Sequence, residues 1–240
     1  MTKRRNALIA AAALWWAGSA FAIEAKDLKR ALDGGGNWLI EQFDLKEKVF
    51  GKGERAKDVT TVAMCVKALC DNPRDYKETS GPFISEPVKY LLSQIGEDGK
   101  LKGANAAKPD AYALVAEALK ATRNDAHSAV LEKCLAAGRA ASGCGKDEIA
   151  QLKWEIACLR AQIAALPPEV QAVLPKGPID VVVDSGPSGA AKLRAQQKEK
   201  AEARAVEVLK LQRKDGAFSE DVKAHAACLV ALNRCYSELK

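Results

Sequence analysis

Aromatic residues and strand-like alternation are scarce in this sequence, and long apolar runs are missing. Aromatics make up 5% of the 240 residues, and the apolar-polar alternation of a half-buried strand occurs almost nowhere. The longest apolar run is near a dozen residues, short of the roughly 18 that a membrane span needs. An extended sheet and a membrane bundle are therefore disfavoured. Abundant Ala, Leu, Lys and Glu predict an all-α fold of packed helices.

Residues 1–22 have the pattern of a cleavable secretory signal peptide. Lys3, Arg4 and Arg5 precede the apolar run ALIAAAALWWAG, and the following SAFA has small residues at the two positions that a signal peptidase reads. An uncleaved membrane anchor is the alternative, and the short run disfavours it. The chain is thus predicted to be exported, periplasmic or extracellular, with no membrane span after cleavage.

The net charge argues against two classes of partner. Removal of the signal peptide leaves 34 basic and 31 acidic residues, about +3. This excess is too small to indicate a nucleic acid or an anionic membrane surface. We expect no nucleic-acid partner.

The cysteines restrict each other's pairing. Cys228 and Cys235 are about 10 Å apart along one predicted helix, which is beyond the reach of a disulfide. Cys134 and Cys144 flank a predicted turn and are the first pair to test. The alternative interpretation is that most cysteines are small buried core residues. The seven positions, an odd number, are 65, 70, 134, 144, 158, 228 and 235.

Helical periodicity and Gly/Pro/Asp-rich joints divide the chain into segments. We predict a signal peptide at 1–22, two helical repeat units at 23–143, a coiled-coil-like helix with a Pro/Gly-rich linker at 144–188, and a long charged helix with a third repeat unit at 189–240. The predicted helices are 24–43, 58–71, 84–95, 110–122, 125–140, 147–166, 190–212 and 221–238.

A helix sequence is repeated along the chain. DVKAHAACLVAL, from Asp221, shares six of twelve residues with DVTTVAMCVKAL, from Asp58, and DAYALVAEAL, from Asp110, follows the same plan. Each copy follows another helix and a loop, so three helix-loop-helix units are predicted, each too small to bury its apolar face alone. The three aspartates are predicted to be N-caps.

These residues resemble the prenyltransferase and squalene-oxidase repeat of the terpenoid-cyclase-like toroids. LQRKDGAF at 211–218 carries the resemblance, and WLIEQ at 38–42 and LLSQIGEDGKL at 91–101, with its Gln one place out of step, look like weaker copies. The resemblance covers about 24–122 and 205–238. It implies paired helices around a centre, with the Gln-Asp-Gly loops as structural clasps, and three units imply an incomplete ring or arc.

The segment EIAQLKWEIACLRAQIAAL has the heptad pattern of a coiled coil. Ile at one position and Leu at the other favour a parallel two-stranded coil. A homodimer seam through 148–166 is one interpretation, an internal hairpin with the helix at 190–212 is another, and an engineered insert is a third. The apolar positions are Ile149, Ile156 and Ile163 with Leu152, Leu159 and Leu166.

The resemblance prompts a search for catalytic groups. Its cyclases use an aspartate-rich acid motif, and no Asp-x-Asp-Asp occurs here; its protein prenyltransferases hold zinc, but the two histidines match no ligand pattern. The nearest metal candidates are His225, Cys228 and Cys235, since the first two share a helix face, with Cys65 or Asp221 completing a zinc site. The alternative is that His225 is a hydrogen-bonded structural residue and that the cysteines fill helix contacts.

Other candidate motifs are weaker. His127 and Asp125 are two residues apart and face different ways on a helix, so a helix-start role is preferred to an acid-base pair. ASGCGKDE at 141–148 lacks the glycine spacing of a phosphate-binding loop. SGPSG at 185–189 is not a nucleophile elbow. We assign no catalytic residue and no cofactor other than the candidate zinc.

The sequence therefore predicts an exported, non-catalytic helical-repeat protein that binds a protein partner or an apolar ligand. The first alternative is an isoprenoid- or lipid-processing enzyme of the cyclase or prenyltransferase type. The second is a fragmentary or artificial repeat protein with a coiled-coil insert. A fold does not by itself bring a function.

Overall fold

The described part of the chain is mostly helical, in agreement with the all-α prediction. The computed structural model describes residues 24–51, 54–142, 166–167 and 205–239. The helices in these ranges are α1 (Ala25–Glu41), α2 (Val59–Cys70), α3 (Pro82–Ser93), α4 (Pro109–Ala121), α5 (Ser128–Ala141) and α6 (Val222–Leu239). Residues 205–209 are also helical. Within the described residues, every helix is too short or too polar to cross a membrane.

Some predicted segments lie outside the described residues. These are the signal peptide at 1–22, most of the coiled-coil-like segment at 148–166, the linker that follows it, and the first part of the helix predicted at 190–212. Of the heptad positions, only Leu166 is described, and it is buried against the hydrophobic core.

The predicted helices match the observed ones to within three residues, but the first loop holds a hairpin that the sequence did not predict. Strands β1 (Phe43–Asp44) and β2 (Val49–Phe50) pair antiparallel, and the Asp44 side chain accepts from the backbone N–H groups of Lys46 and Glu47 in the turn. Strands of two residues are too short to show a period of two, which is why the sequence gives no strand signal here.

Two of the three predicted N-caps are confirmed. The Asp58 side chain accepts from the backbone N–H of Thr61 at 3.0 Å, and that of Asp221 accepts from the backbone N–H of Ala224 at 2.8 Å. The prediction for Asp110 is wrong, because Pro109 already begins helix α4 and places Asp110 inside the first turn. Proline suits this position since its fixed φ is helical and no N–H is needed there.

The second helices of the three units, α2, α4 and α6, form a row. Helix α2 lies in the middle and packs against α4 on one side and α6 on the other, and ten of its twelve residues are buried. Helix α1 packs on α6, α3 on α2, and α5 on α4. The units are therefore ordered second, first, third in space, and the last unit contacts the first.

The described cysteines are core residues, as the alternative interpretation predicted. All five are buried, and burial raises the pKa of the Cys70, Cys134 and Cys228 thiols to about 12. Cys134 is a free thiol, and its proposed partner Cys144 lies outside the described residues. The other buried cysteines are Cys65 and Cys235.

Candidate functional site

The loop before helix α6 (residues 210–221, loop 3) is built as a clasp on helix α1. Gln212 Nε2 donates to the backbone O of Ala31 at 2.9 Å. Within the loop, the backbone N–H of Arg213 donates to the O of Ala217 at 2.8 Å, and the Asp215 side chain accepts from the N–H of Ala217 at 3.1 Å. The Gln-Asp-Gly motif thus joins the last repeat unit to the first helix.

The loop before helix α4 (residues 94–108, loop 2) contains the same turn. The backbone N–H of Gly96 donates to the O of Lys100 at 2.8 Å, and the N–H of Lys100 donates to the Asp98 side chain at 3.0 Å. When the two turns are aligned by these bonds, Gly96 corresponds to Arg213. Gln94 then lies one residue before the position that corresponds to Gln212. The bonding agrees with the sequence alignment in which the glutamine of the second copy is one place out of step.

The fourth residue of helix α4 and the fourth residue of helix α6 each close the loop before their helix. Tyr112 in α4 accepts from the backbone N–H of Leu101 at 3.1 Å through its hydroxyl. His225 in α6 accepts from the N–H of Phe218 at 3.0 Å through Nδ1. The corresponding residue of α2 is Val62, which has no group for this bond. Histidine at 225 therefore has a structural role that valine lacks.

Both ring nitrogens of His225 are engaged. Nε2 lies 2.9 Å from the backbone O of Gly35. Because Nδ1 accepts a hydrogen bond, the network assigns the proton to Nε2, which donates to Gly35. The side chain is fully buried and its ring lies 4.2 Å from that of Trp38, centroid to centroid. These contacts agree with the interpretation of His225 as a hydrogen-bonded structural residue.

In the described part of the chain, the candidate metal ligands do not form a site. No group of three or more His, Cys, Asp and Glu side chains is placed to hold a metal among the described residues. A zinc ion on His225 would have to replace one of its two backbone hydrogen bonds. A zinc site of His225, Cys228 and Cys235, with Cys65 or Asp221 added, stays a prediction.

His225 is expected to make the stability of the fold depend on pH. Burial lowers the pKa of His225 to about 4 from its ordinary value of 6.5. Above pH 6.5 the ring is neutral whether the chain is folded or unfolded, so the stability is complete. As the pH falls from 6.5 to 4, only the unfolded chain gains the proton, and the free energy of unfolding should drop by about 3 kcal/mol.

Urea unfolding at a series of pH values tests this dependence. The variant His225→Leu should lose most of the slope between pH 6.5 and 5 while keeping the change below about pH 5 that carboxylates such as Asp58 cause. An equal slope in both proteins would contradict the assignment.

The second histidine, His127, has a carboxylate partner that the sequence did not indicate. His127 Nε2 lies 2.7 Å from Glu78 Oε1, and Asn124 caps the short turn before α5 by accepting from the N–H of Ala126. His127 thus ties the start of α5 to residue 78 and is not paired with Asp125 through a bond of the described structure. The preferred helix-start role agrees with this geometry.

A cleft that was not among the predicted sites lies between the C-terminal halves of α2, α4 and α6; we call it the polar cleft. Its volume is about 320 Å³. The ninth residue of each of these helices, Lys67, Glu117 and Val230, lines it. The equivalent position of all three repeated helices thus faces one space. The other lining residues are Asp71, Arg123, Asn233, Arg234 and Ser237.

Lys67 is the central charge of the polar cleft. Its Nζ lies 2.8 Å from Asp71 Oδ2 and 3.2 Å from Glu117 Oε2. Burial alone would lower the pKa of Lys67, but the two carboxylates, Asp71 foremost, outweigh it and raise the pKa above its usual value. Lys67 therefore stays protonated and forms an ion pair with each of the two carboxylates.

Two neighbouring residues of α6, Asn233 and Arg234, line the polar cleft. Asn233 is 5% exposed; its Nδ2 donates to the backbone O of Ala68 at 3.0 Å, but its Oδ1 has no hydrogen-bond partner. A buried acceptor without a partner is costly and is rare in folded proteins. Arg234 is exposed.

The sequence contained a faint signal for the polar cleft. Asn233 and Arg234 occupy the places that Cys70 and Asp71 have in the first copy of the repeated helix. A buried cysteine is replaced by an amide, and an acidic residue by a basic one.

No protein-family model, curated protein or solved structure matches this chain.

Proposed function

We propose that the chain is an exported, non-catalytic helical-repeat protein whose units form an open arc of the α/α-toroid type, and that it functions by binding in the polar cleft. One observation carries the proposal: the ninth residues of three repeated helices line the same cleft. Repeat proteins commonly bind on the surface that equivalent positions of their repeats create together.

The packing of the row supports an open arc. Helix α2 contacts both α4 and α6, whereas the contact between α4 and α6 is slight within the described residues. The polar cleft therefore lies between three helices. The central one, α2, contacts the other two. Further units would be needed to close such a row into a ring.

The lining of the polar cleft favours a polar bound group. The sequence predicted a protein partner or an apolar ligand, but seven of the eight lining residues are polar or charged and only Val230 is apolar. A polar small molecule, or a polar side chain of a partner protein, suits such a lining better than an isoprenoid chain. Homodimerisation through 148–166 is a separate prediction.

Mass spectrometry of the natively purified, untagged protein tests the proposal. Wild type should release a bound compound or partner on denaturation, in an amount close to one per chain and chemically unchanged after prolonged incubation. The double variant Asn233→Leu/Arg234→Gln should release much less. Retention that is equal in the two proteins would contradict binding in the polar cleft.

An enzyme assay separates the alternative. If the chain converted an isoprenoid diphosphate or another lipid substrate, and the double variant abolished that turnover, the non-catalytic proposal would be wrong. Circular dichroism of both proteins provides the control for folding.

A further inference from the structure

We propose that the polar cleft binds a small zwitterion that carries an ammonium group with N–H donors and a carboxylate, the chemistry of a free α-amino acid. The inference rests on the proposed binding function and names the ligand class of the same site. It follows from the charges and the open hydrogen-bonding groups of the described lining residues.

The first argument is the separation of charge inside the polar cleft. Lys67 with Asp71 and Glu117 combines one positive and two negative charges in direct contact, so this triad is negative overall. Arg234, on helix α6, makes no ion pair with any residue that the structure describes. A group of net negative charge and an arginine without an ion pair among the described residues therefore line one space, which is the complement of a zwitterion.

The second arginine of the lining, Arg123, does not change this distribution of charge. Its Nη1 lies 2.5 Å from Asp75 Oδ1, so its charge is already compensated at the rim. Arg234 is thus the cation of the lining that is available to a carboxylate, and a guanidinium can bind a carboxylate through two parallel hydrogen bonds.

The second argument is independent of charge and concerns Asn233. Its amide nitrogen is fixed by the bond to Ala68 O, which directs the unpartnered Oδ1 away from that bond. An acceptor that is buried and unpaired requires a donor. The ammonium group of an amino acid supplies N–H donors, whereas a simple carboxylate supplies none.

The size of the polar cleft is compatible with such a ligand. A volume of about 320 Å³ corresponds to roughly ten water molecules at their share of liquid volume. A small amino acid fits within this space, with its ammonium group towards Asn233 and the acidic residues and its carboxylate towards Arg234.

Calorimetric titration of the full chain with matched probes tests the inference. Glycine and L-alanine should bind with dissociation constants of about 10 μM or tighter, since weaker ligands would not stay bound through purification. Acetate and methylammonium, which each carry one of the two charges, should bind at least about tenfold more weakly. N,N,N-trimethylglycine keeps both charges but has no N–H donor, so it should also bind about tenfold more weakly than glycine.

Variants locate the site. Arg234→Gln should weaken the binding of L-alanine about tenfold or more, and since Arg234 is exposed, this variant should fold normally. Asn233→Leu should lower the affinity for glycine to that for its trimethyl analogue. Arg30→Gln, another exposed helix arginine outside the cleft, should bind like wild type.

Three results would overturn the inference: no binding of either amino acid at about 1 mM, equal binding of glycine and its trimethyl analogue, or unchanged binding in Arg234→Gln. If mass spectrometry finds a different compound that depends on Asn233 and Arg234, the zwitterion inference fails while the proposed binding function stands. If nothing depends on these residues, both fail.

Discussion

The substitution His225→Leu is expected to lower the free energy of unfolding by about 3 kcal/mol, because it removes two buried hydrogen bonds and leaves the Phe218 N–H without a partner. The ring accepts from Phe218 N–H and donates to Gly35 O, in loop 3 and helix α1 respectively. Leucine retains much of the packing against Trp38 but can replace neither bond. The unsatisfied Phe218 N–H costs about 1–3 kcal/mol, and the lost bond to Gly35 O, a carbonyl inside helix α1, costs about 1 kcal/mol more.

Urea unfolding of wild type, His225→Leu and His127→Leu measures this loss. His127 is the other histidine of the chain and pairs with Glu78 near the surface, so its substitution should cost at most about 1 kcal/mol. Similar losses for the two variants would show that the buried hydrogen bonds are not the cause. Stoichiometric zinc in wild type that disappears in His225→Leu would instead establish the metal site.

The substitution Gly216→Ala is expected to cost about 3 kcal/mol through a different mechanism. Gly216 has φ +88°, and a Cβ built there would lie 2.7 Å from the backbone O of Gly34. A left-handed conformation costs a residue with a Cβ about 1–2 kcal/mol, and the contact with the backbone adds to this cost, since neither chain segment can rotate away. The loop would have to separate from helix α1.

Gly103→Ala is the matched control for this prediction. Gly103 also has a positive φ, +64°, but an added Cβ would meet nothing within 4 Å. It should therefore cost only the conformational part, about 1 kcal/mol. Gly99→Ala should be as severe as Gly216→Ala, because a Cβ there would lie 2.4 Å from the backbone of Lys133. Equal losses for all three would mean that close packing of the loops is unimportant.

The helices were predictable because their signals are local. Asp58 and Asp221 each begin an apolar-periodic run, and both are N-caps. Asp110 has the same sequence context, but the preceding proline moves the helix start by one residue. The hairpin at 43–50 was missed because strands of two residues leave no periodic pattern in the sequence.

The polar cleft could not be predicted in the same way, since it depends on which helices become neighbours. Nothing local shows that Lys67 and Glu117 meet across two units, or that Asn233 is buried with one acceptor unpaired. In the sequence, the repeat alone indicates that Lys67 and Glu117 occupy equivalent positions of their helices. The contrast between Asn233 and Cys70 was visible, but its meaning required the spatial order of the units.

The spatial order of the units also has a consequence for how the chain acquires its structure. Gln212 and His225 reach back to Ala31 and Gly35 across 181 and 190 residues of sequence. During synthesis, helix α1 is made first, whereas its main packing partner, α6, is made last. Contacts of such long range slow folding and leave apolar surface open to aggregation in the meantime. Helix α1 is therefore expected to lack its main packing partner until α6 has been synthesised.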